Sequence, residues 1–151
     1  MSVGLTVRPL AAADRTGWQA LYRGYQGFYG FHDRPDGFYD AAFARLKGGE
    51  ARDFHGLLAE ADGVPLGLAH YVFHPNLWRP EGVCYLQDLF TAPAARGQGA
   101  GRALIAAVYA AADAAGVPSV YWLTAEDNYP GRMLYDRVGV KSPFIRYNRP
   151  A

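Results

Sequence analysis

Hydrophobic positions recur at helical spacing in some stretches of the chain and form β-branched or aromatic runs in others. This pattern predicts an order of elements. The first half is predicted to contain one strand, two helices and a hairpin, whose strands join through Asp62 and Gly63, a pair typical of tight turns. We expect the first helix to stop near Tyr25, because the glycine-rich stretch that follows is unfavourable inside a helix. The predicted bounds are 5–9 for the strand, 14–25 and 38–46 for the helices, and 54–60 and 64–74 for the hairpin.

The second half alternates strands with helices. Gly116 and Pro118 are stop signals after the first of these helices, and Pro130 lies in the first turn of the second. The predicted bounds are 83–91, 119–124 and 142–148 for the strands, and 101–115 and 128–138 for the helices. Hairpins followed by strand–helix–strand units predict a single α/β (α+β) domain over residues 1–151 with a mixed sheet.

Composition narrows the class of protein. Of the 151 residues, 50% are hydrophobic and 15% aromatic, so we expect a buried core rather than a disordered chain. Fifteen Lys and Arg oppose fourteen Asp and Glu, and the chain has no basic run, so no nucleic-acid partner is expected. The single cysteine, Cys84, excludes an internal disulfide and suits a reducing compartment. Without a signal-peptide pattern or an apolar stretch of roughly 18 residues, a cytoplasmic protein with no membrane partner is expected.

The segment after the third long strand carries the clearest chemical signal. An alanine-rich helix is preceded here by Arg96, Gly97, Gln98, Gly99, Ala100, Gly101 and Arg102. Glycine lets the backbone approach a ligand closely, and the free N–H groups at a helix start bind anions such as pyrophosphate. The spacing excludes a dinucleotide fingerprint, which needs glycine at Arg102, and the chain has no Gly-Lys-Ser/Thr of a P-loop. A flexible loop with a glycine N-cap is the alternative.

The run from Arg96 to Gly101 resembles the Arg/Gln-x-x-Gly-x-Gly/Ala signature of the GNAT (Gcn5-related N-acetyltransferase) superfamily. Residues 128–136 are similar to the next helix-opening motif of that family, and the order of elements agrees over the whole chain. Segments 121–124 and 144–147 most resemble the fungal histone and polyamine N-acetyltransferase subgroup and its bacterial relatives. The resemblance implies a mostly antiparallel central sheet flanked by helices, and direct transfer of acetyl from acetyl-CoA to an amine.

The resemblance also implies roles for individual residues. Asn128 would contact the pantetheine arm of acetyl-CoA, and Tyr135 would protonate the leaving thiolate. Gly131 lies one helical turn before Tyr135, so we expect an open channel beside the phenol; an ordinary core tyrosine is the alternative. The residues expected to bind acetyl-CoA are Leu89, Phe90, Thr91, Arg96, Gly97, Gln98, Gly99, Ala100, Gly101, Arg102, Asn128 and Tyr135.

The acceptor side carries a weaker signal. Gln87 and Asp88 interrupt an apolar strand, which costs stability unless both are satisfied. Polyamine-type relatives carry a carboxylate at the position of Gln87, so the general base is expected to be Asp88 or an ordered water chain; a polar bulge satisfied by backbone is the alternative. Aromatic faces hold cationic amines, although a core or dimer contact is equally compatible with such residues. The residues expected to contact the acceptor are Tyr25, Phe28, Tyr29, Gln87 and Trp78.

The remaining predictions concern metals, partners and alternative functions. No metal is expected, because His70 and His74 on one strand lie roughly 13 Å apart at about 3.3 Å per residue. The expected partner is a small-molecule amine, either a polyamine or an amino-acid-like compound, and a homodimer is compatible with the aromatic residues. Two alternatives to the enzyme are a CoA-binding regulatory or vestigial domain without turnover, and a non-enzymatic interaction module.

Overall fold

A computed structural model describes residues 4–31 and 34–151. Within these residues, five strands form one sheet in sequence order. The first four strands are antiparallel to their neighbours, and the fifth is parallel to the fourth. The strands are β1 Leu5–Pro9, β2 His55–Ala61, β3 Val64–Asn76, β4 Arg79–Thr91 and β5 Val120–Tyr121.

Helices cover both faces of the sheet, which confirms the predicted fold class of a mixed, mostly antiparallel sheet flanked by helices. On one face, Trp18 and Phe43 pack with Leu58 of β2. On the other, Leu104 and Ile105 pack with the next residue of β2, Ala59, because successive side chains of a strand point to opposite faces. The helices are α1 Arg15–Phe28, α2 Asp36–Lys47, α3 Ala100–Ala114 and α4 Tyr129–Val138. None of them combines the length and apolar character needed to cross a membrane, within the residues described.

The first helix is longer than predicted. α1 continues through Gly27 to Phe28 instead of stopping near Tyr25. A Cβ on Gly24 would lie 3.4 Å from the ring of Phe90 on β4, and the Tyr25 ring packs edge-on against that same ring at 5.8 Å. Packing against the sheet therefore outweighs the low helix propensity of glycine.

The second hairpin also exceeds its predicted bounds. β3 and β4 run to a tight connection at Leu77 and Trp78, where a loop was expected. Along the pair, His70 faces Asp88 and Tyr71 faces Leu86, so Gln87 has no partner and forms a bulge. This bulge explains the polar interruption of the strand, because it changes which face the side chains reach.

The final predicted strand, 142–148, is wrong. Residues 140–151 are exposed throughout and form no strand in the structure. The strand predicted over 119–124 is also shorter, since β5 contains only Val120 and Tyr121. A strand needs a neighbour for its backbone hydrogen bonds, and the described chain offers the C-terminal segment none.

Candidate active site

The edge of β4 that faces β5 is open over half of its length. β4 and β5 pair only at Cys84 with Val120 and at Tyr85 with Tyr121. Beyond these pairs, residues 86–91 of β4 bond to β3 on one side and to no strand on the other, within the described chain. Backbone N–H and C=O groups on this open edge are available to a ligand. Leu89 and Thr91, two of the predicted acetyl-CoA contacts, lie on it.

The glycine loop follows directly. Gly97 and Gly99 adopt left-handed backbone conformations, with φ of 84° and 83°, and a Cβ on either would meet no atom within 4 Å. α3 begins at Ala100 without a side-chain cap, so its first N–H groups remain free to bind an anion. Arg96 and Arg102 are exposed at the two ends of this loop and add positive charge. The loop is therefore suited to a pyrophosphate.

Asn128 caps α4 and uses both ends of its amide. Its Oδ1 accepts a hydrogen bond from the Gly131 amide at 3.3 Å, and its Nδ2 donates to Thr124 Oγ1 at 2.9 Å. A Cβ on Gly131 would overlap the Asn128 side chain. Asn128 therefore occupies the space next to Gly131 that was expected to stay open.

Tyr135 is half-buried on α4, and its side chain packs against the core. Burial raises the pKa of the phenol, and nearby Tyr29 raises it further. The hydroxyl group makes no hydrogen bond with any described residue and is not sealed from solvent. Tyr135 therefore stays protonated near neutral pH and has a proton available for donation.

Asp88 is buried on the face of β4 that α1 covers. Its hydrogen-bond partners are side chains, not backbone groups. Its Oδ2 lies 2.8 Å from His70 Nδ1 and 3.4 Å from Gln87 Nε2. On the far side of the imidazole, the Trp18 indole N–H donates to His70 Nε2 at 2.9 Å. The result is a continuous chain of three buried polar side chains that ends on a carboxylate.

A cavity of about 260 Å³ adjoins this carboxylate. Asp88 is the only carboxylate among the described residues that line it, and Arg45, at its rim, is paired with Asp53 at 2.7 Å. The remaining wall is mostly apolar and aromatic, as expected of a site for a small organic molecule. The lining residues are Tyr22, Phe38, Ala41, Ala42, Arg45, Leu46, Phe54, His70, Gln87 and Asp88.

Most of these lining residues were not predicted from the sequence. Phe38, Ala41, Ala42, Arg45 and Leu46 recur every three or four positions, which places them on one face of α2. Small alanines between large residues on one face were the available signal for a pocket.

The predicted acceptor residues are only partly brought together. Gln87 lines the cavity, and Tyr25 lies beside it against Tyr22, with ring centroids 6.4 Å apart. Phe28 and Tyr29 are exposed at the end of α1. Trp78 is 90% exposed at the tip of the β3–β4 hairpin, roughly 33 Å along the strand from the site, at about 3.3 Å per residue.

Known proteins are similar to this chain in sequence and in structure. The model of the acetyltransferase (GNAT) family matches residues 18–140. The D-amino-acid N-acetyltransferase HPA3 of Saccharomyces cerevisiae is 34% identical over 146 residues, which cover 96% of this chain and 90% of that protein.

Solved structures share the fold at lower identity. The ribosomal-protein-alanine N-acetyltransferase from Brucella melitensis superposes with a TM-score of 0.82 and 20% identity, covering 98% of this chain and all of that one. The aminoglycoside N-acetyltransferase AAC(6')-Iy, solved in complex with CoA, gives a TM-score of 0.81 and 20% identity, with 100% and 98% covered.

Proposed function

The chain belongs to the acetyltransferase (GNAT) family and is an N-acetyltransferase, and from this premise we propose that it acetylates the primary amine of an amino-acid-like small molecule, with acetyl-CoA as donor. The observation that carries this proposal is a pair of sites at β4, one at the end of the strand and one along it. One is the uncapped glycine loop, and the other is the cavity that ends on Asp88.

The loop side binds the donor. The amides of residues 97–102 hold the pyrophosphate, with Arg96 and Arg102 beside it. The open edge of β4 at Leu89 and Thr91 binds the pantetheine arm and the acetyl carbonyl. Left-handed Gly99 supports this assignment, because the space above it is empty and any side chain there would fill the phosphate cradle.

The cavity side binds the acceptor. Asp88 attracts the amine, and the wall of Phe38, Leu46 and Phe54 covers an apolar body. A diamine fits less well, because its second ammonium group would face Arg45 and apolar side chains rather than a second carboxylate. An amino acid with an apolar side chain suits this wall, and the relative named as a D-amino-acid N-acetyltransferase supports the same class.

The reaction is a direct attack. The amine nitrogen bonds to the thioester carbon while the carbon–sulfur bond breaks. The proton lost by the amine passes to Asp88, directly or through water, and the departing thiolate takes a proton from Tyr135. Solvent then restores both protonation states, and the products are the N-acetylated acceptor and CoA.

The test compares acceptors at a fixed concentration of acetyl-CoA. We expect kcat/KM for the D or L form of an amino acid with an apolar side chain to exceed that for 1,4-diaminobutane. The variant Asp88→Asn, which conserves shape, should lower kcat for every acceptor by about 10²-fold or more. A diamine that outperforms all amino acids tenfold would contradict the acceptor class, and unchanged turnover in Asp88→Asn would contradict the role of Asp88.

We also propose the wider setting of this activity. The whole chain acts as one domain, since β1 lies outside the family match yet pairs with β2 in the same sheet. A cytoplasmic location is supported by Cys84, the single cysteine, which is a free thiol. A homodimer is supported by the exposed apolar side chains of Phe144 and Ile145 in the C-terminal segment.

A further inference from the structure

The contacts of His70 with Trp18 and Asp88 determine which nitrogen of its imidazole carries the proton. The indole of Trp18 is a donor only and is fully buried, so the nitrogen that it meets, His70 Nε2, must be an acceptor. A neutral imidazole carries its single proton on the other nitrogen, Nδ1. His70 therefore donates from Nδ1 to Asp88 Oδ2.

We infer that His70 is a positioning residue for acetyl transfer: locked as the Nδ1–H tautomer by Trp18, it holds Oδ2 of Asp88 and leaves Oδ1 directed to the cavity for the acceptor amine. This inference rests on the proposed function, in which Asp88 receives the amine proton. His70 is not itself the base, because neither ring nitrogen has a free lone pair.

The two oxygens of Asp88 are not equivalent. Burial raises the pKa of the Tyr22 phenol, and an interaction of its hydroxyl group with the carboxylate raises that pKa further. The two hydrogen bonds within 3.5 Å that the carboxylate accepts from described side chains, from His70 and Gln87, go to Oδ2. Oδ1 has no such partner, yet no buried polar side-chain atom in the described chain lacks one. Oδ1 is therefore accessible, and the cavity is the space that Asp88 lines.

The surroundings keep the imidazole rigid. The ring of Tyr22 from α1 packs edge-on against it, with centroids 4.8 Å apart, and Trp18 lies at 6.0 Å. Burial, followed by the charge of Asp88, raises the pKa values of Tyr22 and Tyr25, so both phenols remain neutral beside the pair. From α2, Tyr39 packs against both Trp18 and Tyr22.

Measuring the tautomer of His70 in the wild-type protein tests whether Trp18 fixes it, independently of turnover. Nitrogen-15 NMR of the imidazole distinguishes a protonated Nδ1 from a protonated Nε2. We expect His70 to carry its proton on Nδ1, and Trp18→Phe to produce a mixture of the two tautomers. A wild-type His70 protonated on Nε2, or on both nitrogens, would overturn the inference.

Two substitutions at His70 test the positioning. His70→Asn retains an N–H near the position of Nδ1 and should keep kcat within about fivefold, whereas His70→Leu loses it and should lower kcat about 10²-fold, the effect of a misplaced catalytic group. The KM for acetyl-CoA should stay the same in both. The control His74→Leu alters a histidine on the same strand that bonds to Tyr121 instead, and should leave kcat unchanged.

The outcomes separate this inference from the proposed function. A wild-type protein that acetylates no amine would contradict the proposed function, whatever the tautomer of His70. Full turnover in folded His70→Leu, with an active wild type, would overturn the positioning role alone. If His70→Leu does not fold, the ratio of His70→Asn to wild-type kcat and the wild-type tautomer decide.

Discussion

The indole ring of Trp122 packs edge-on against the phenol ring of Tyr135, with centroids 5.6 Å apart and an angle of 68° between the planes. Trp122 follows β5 directly, so this contact fixes α4 to the strand that diverges from β4. Gly139, at the end of α4, completes the fit, because a Cβ there would lie 2.9 Å from the indole. The position of the Tyr135 ring is therefore set by carbon contacts and not by its hydroxyl group.

Tyr135→Phe consequently isolates the hydroxyl group. We expect kcat to fall about 10²-fold, the low end for general acid–base catalysis, while the KM for acetyl-CoA changes little because the ring stays packed on Trp122. Steady-state kinetics with a saturating acceptor measure both values. The control Tyr109→Phe removes a hydrogen bond to the Val138 carbonyl at 2.6 Å and should lower stability by about 1 kcal/mol while leaving kcat intact. A Tyr135→Phe enzyme with wild-type kcat would assign the proton to water.

The second prediction concerns the donor site. Gly99→Glu should abolish acetyl-CoA binding in titration calorimetry, because a carboxylate would fill and charge the proposed phosphate cradle. Gly49→Glu is the matched control, since Gly49 has a similar φ of 71° and the same open space, so both variants carry the same backbone strain. Undiminished binding by a folded Gly99→Glu variant would contradict the donor site.

The third prediction concerns the cavity wall. Ala41 is exposed on α2 and lines the cavity, so Ala41→Phe should occupy its apolar part. We expect kcat/KM for amino acids with large side chains to fall by about tenfold or more, and that for glycine to change much less. Ala44→Phe, on the same helix but outside the cavity lining, is the control. An equal loss for large and small acceptors would argue against a side-chain pocket at this position.

How far the sequence predicts this molecule depends on whether a feature is local. The place of the glycine loop from Arg96 to Arg102, between a strand and a helix, was predictable, because its pattern is local. The cavity was not, because Phe38 and Phe54 meet Asp88 only after α2 packs on the sheet. The same limit applies to the ends of helices: α1 continues past Tyr25 to Phe28, and Tyr25 packs on Phe90 of the sheet.

The C-terminal strand and the hairpin illustrate the same limit for β structure. The aromatic pattern of residues 144–147 favours a strand, yet pairing requires a neighbour that local pattern does not reveal. Trp78 was assigned to the acceptor by residue type, whereas the length of the hairpin separates it from the site. The bulge at Gln87 was visible only as a polar interruption, without the register that explains it.

The fourth prediction is alkaline instability. Burial, and next the charge of Asp88, raises the pKa values of Tyr22 and Tyr25 above the ordinary value of about 10. Below that value both states keep these protons, and above it only the unfolded chain releases them, so the free energy of unfolding falls as pH rises. Tyr25→Phe should lose less stability than wild type between about pH 9 and pH 11 in urea titrations. The control is exposed Tyr129→Phe, and equal losses in wild type and Tyr25→Phe would refute the effect.

The three tryptophans occupy three different environments, and this gives the protein an optical signature. Trp18 is fully buried, Trp122 is half-buried beside Tyr135, and Trp78 is almost fully exposed. Indole fluorescence shifts to longer wavelength as water gains access, so the emission band is a sum of three components, of which an aqueous quencher removes that of Trp78 first. The emission that remains then comes from Trp18, which bonds to His70, and from Trp122, which packs on Tyr135, so it reports on the surroundings of both proposed catalytic groups without any added dye.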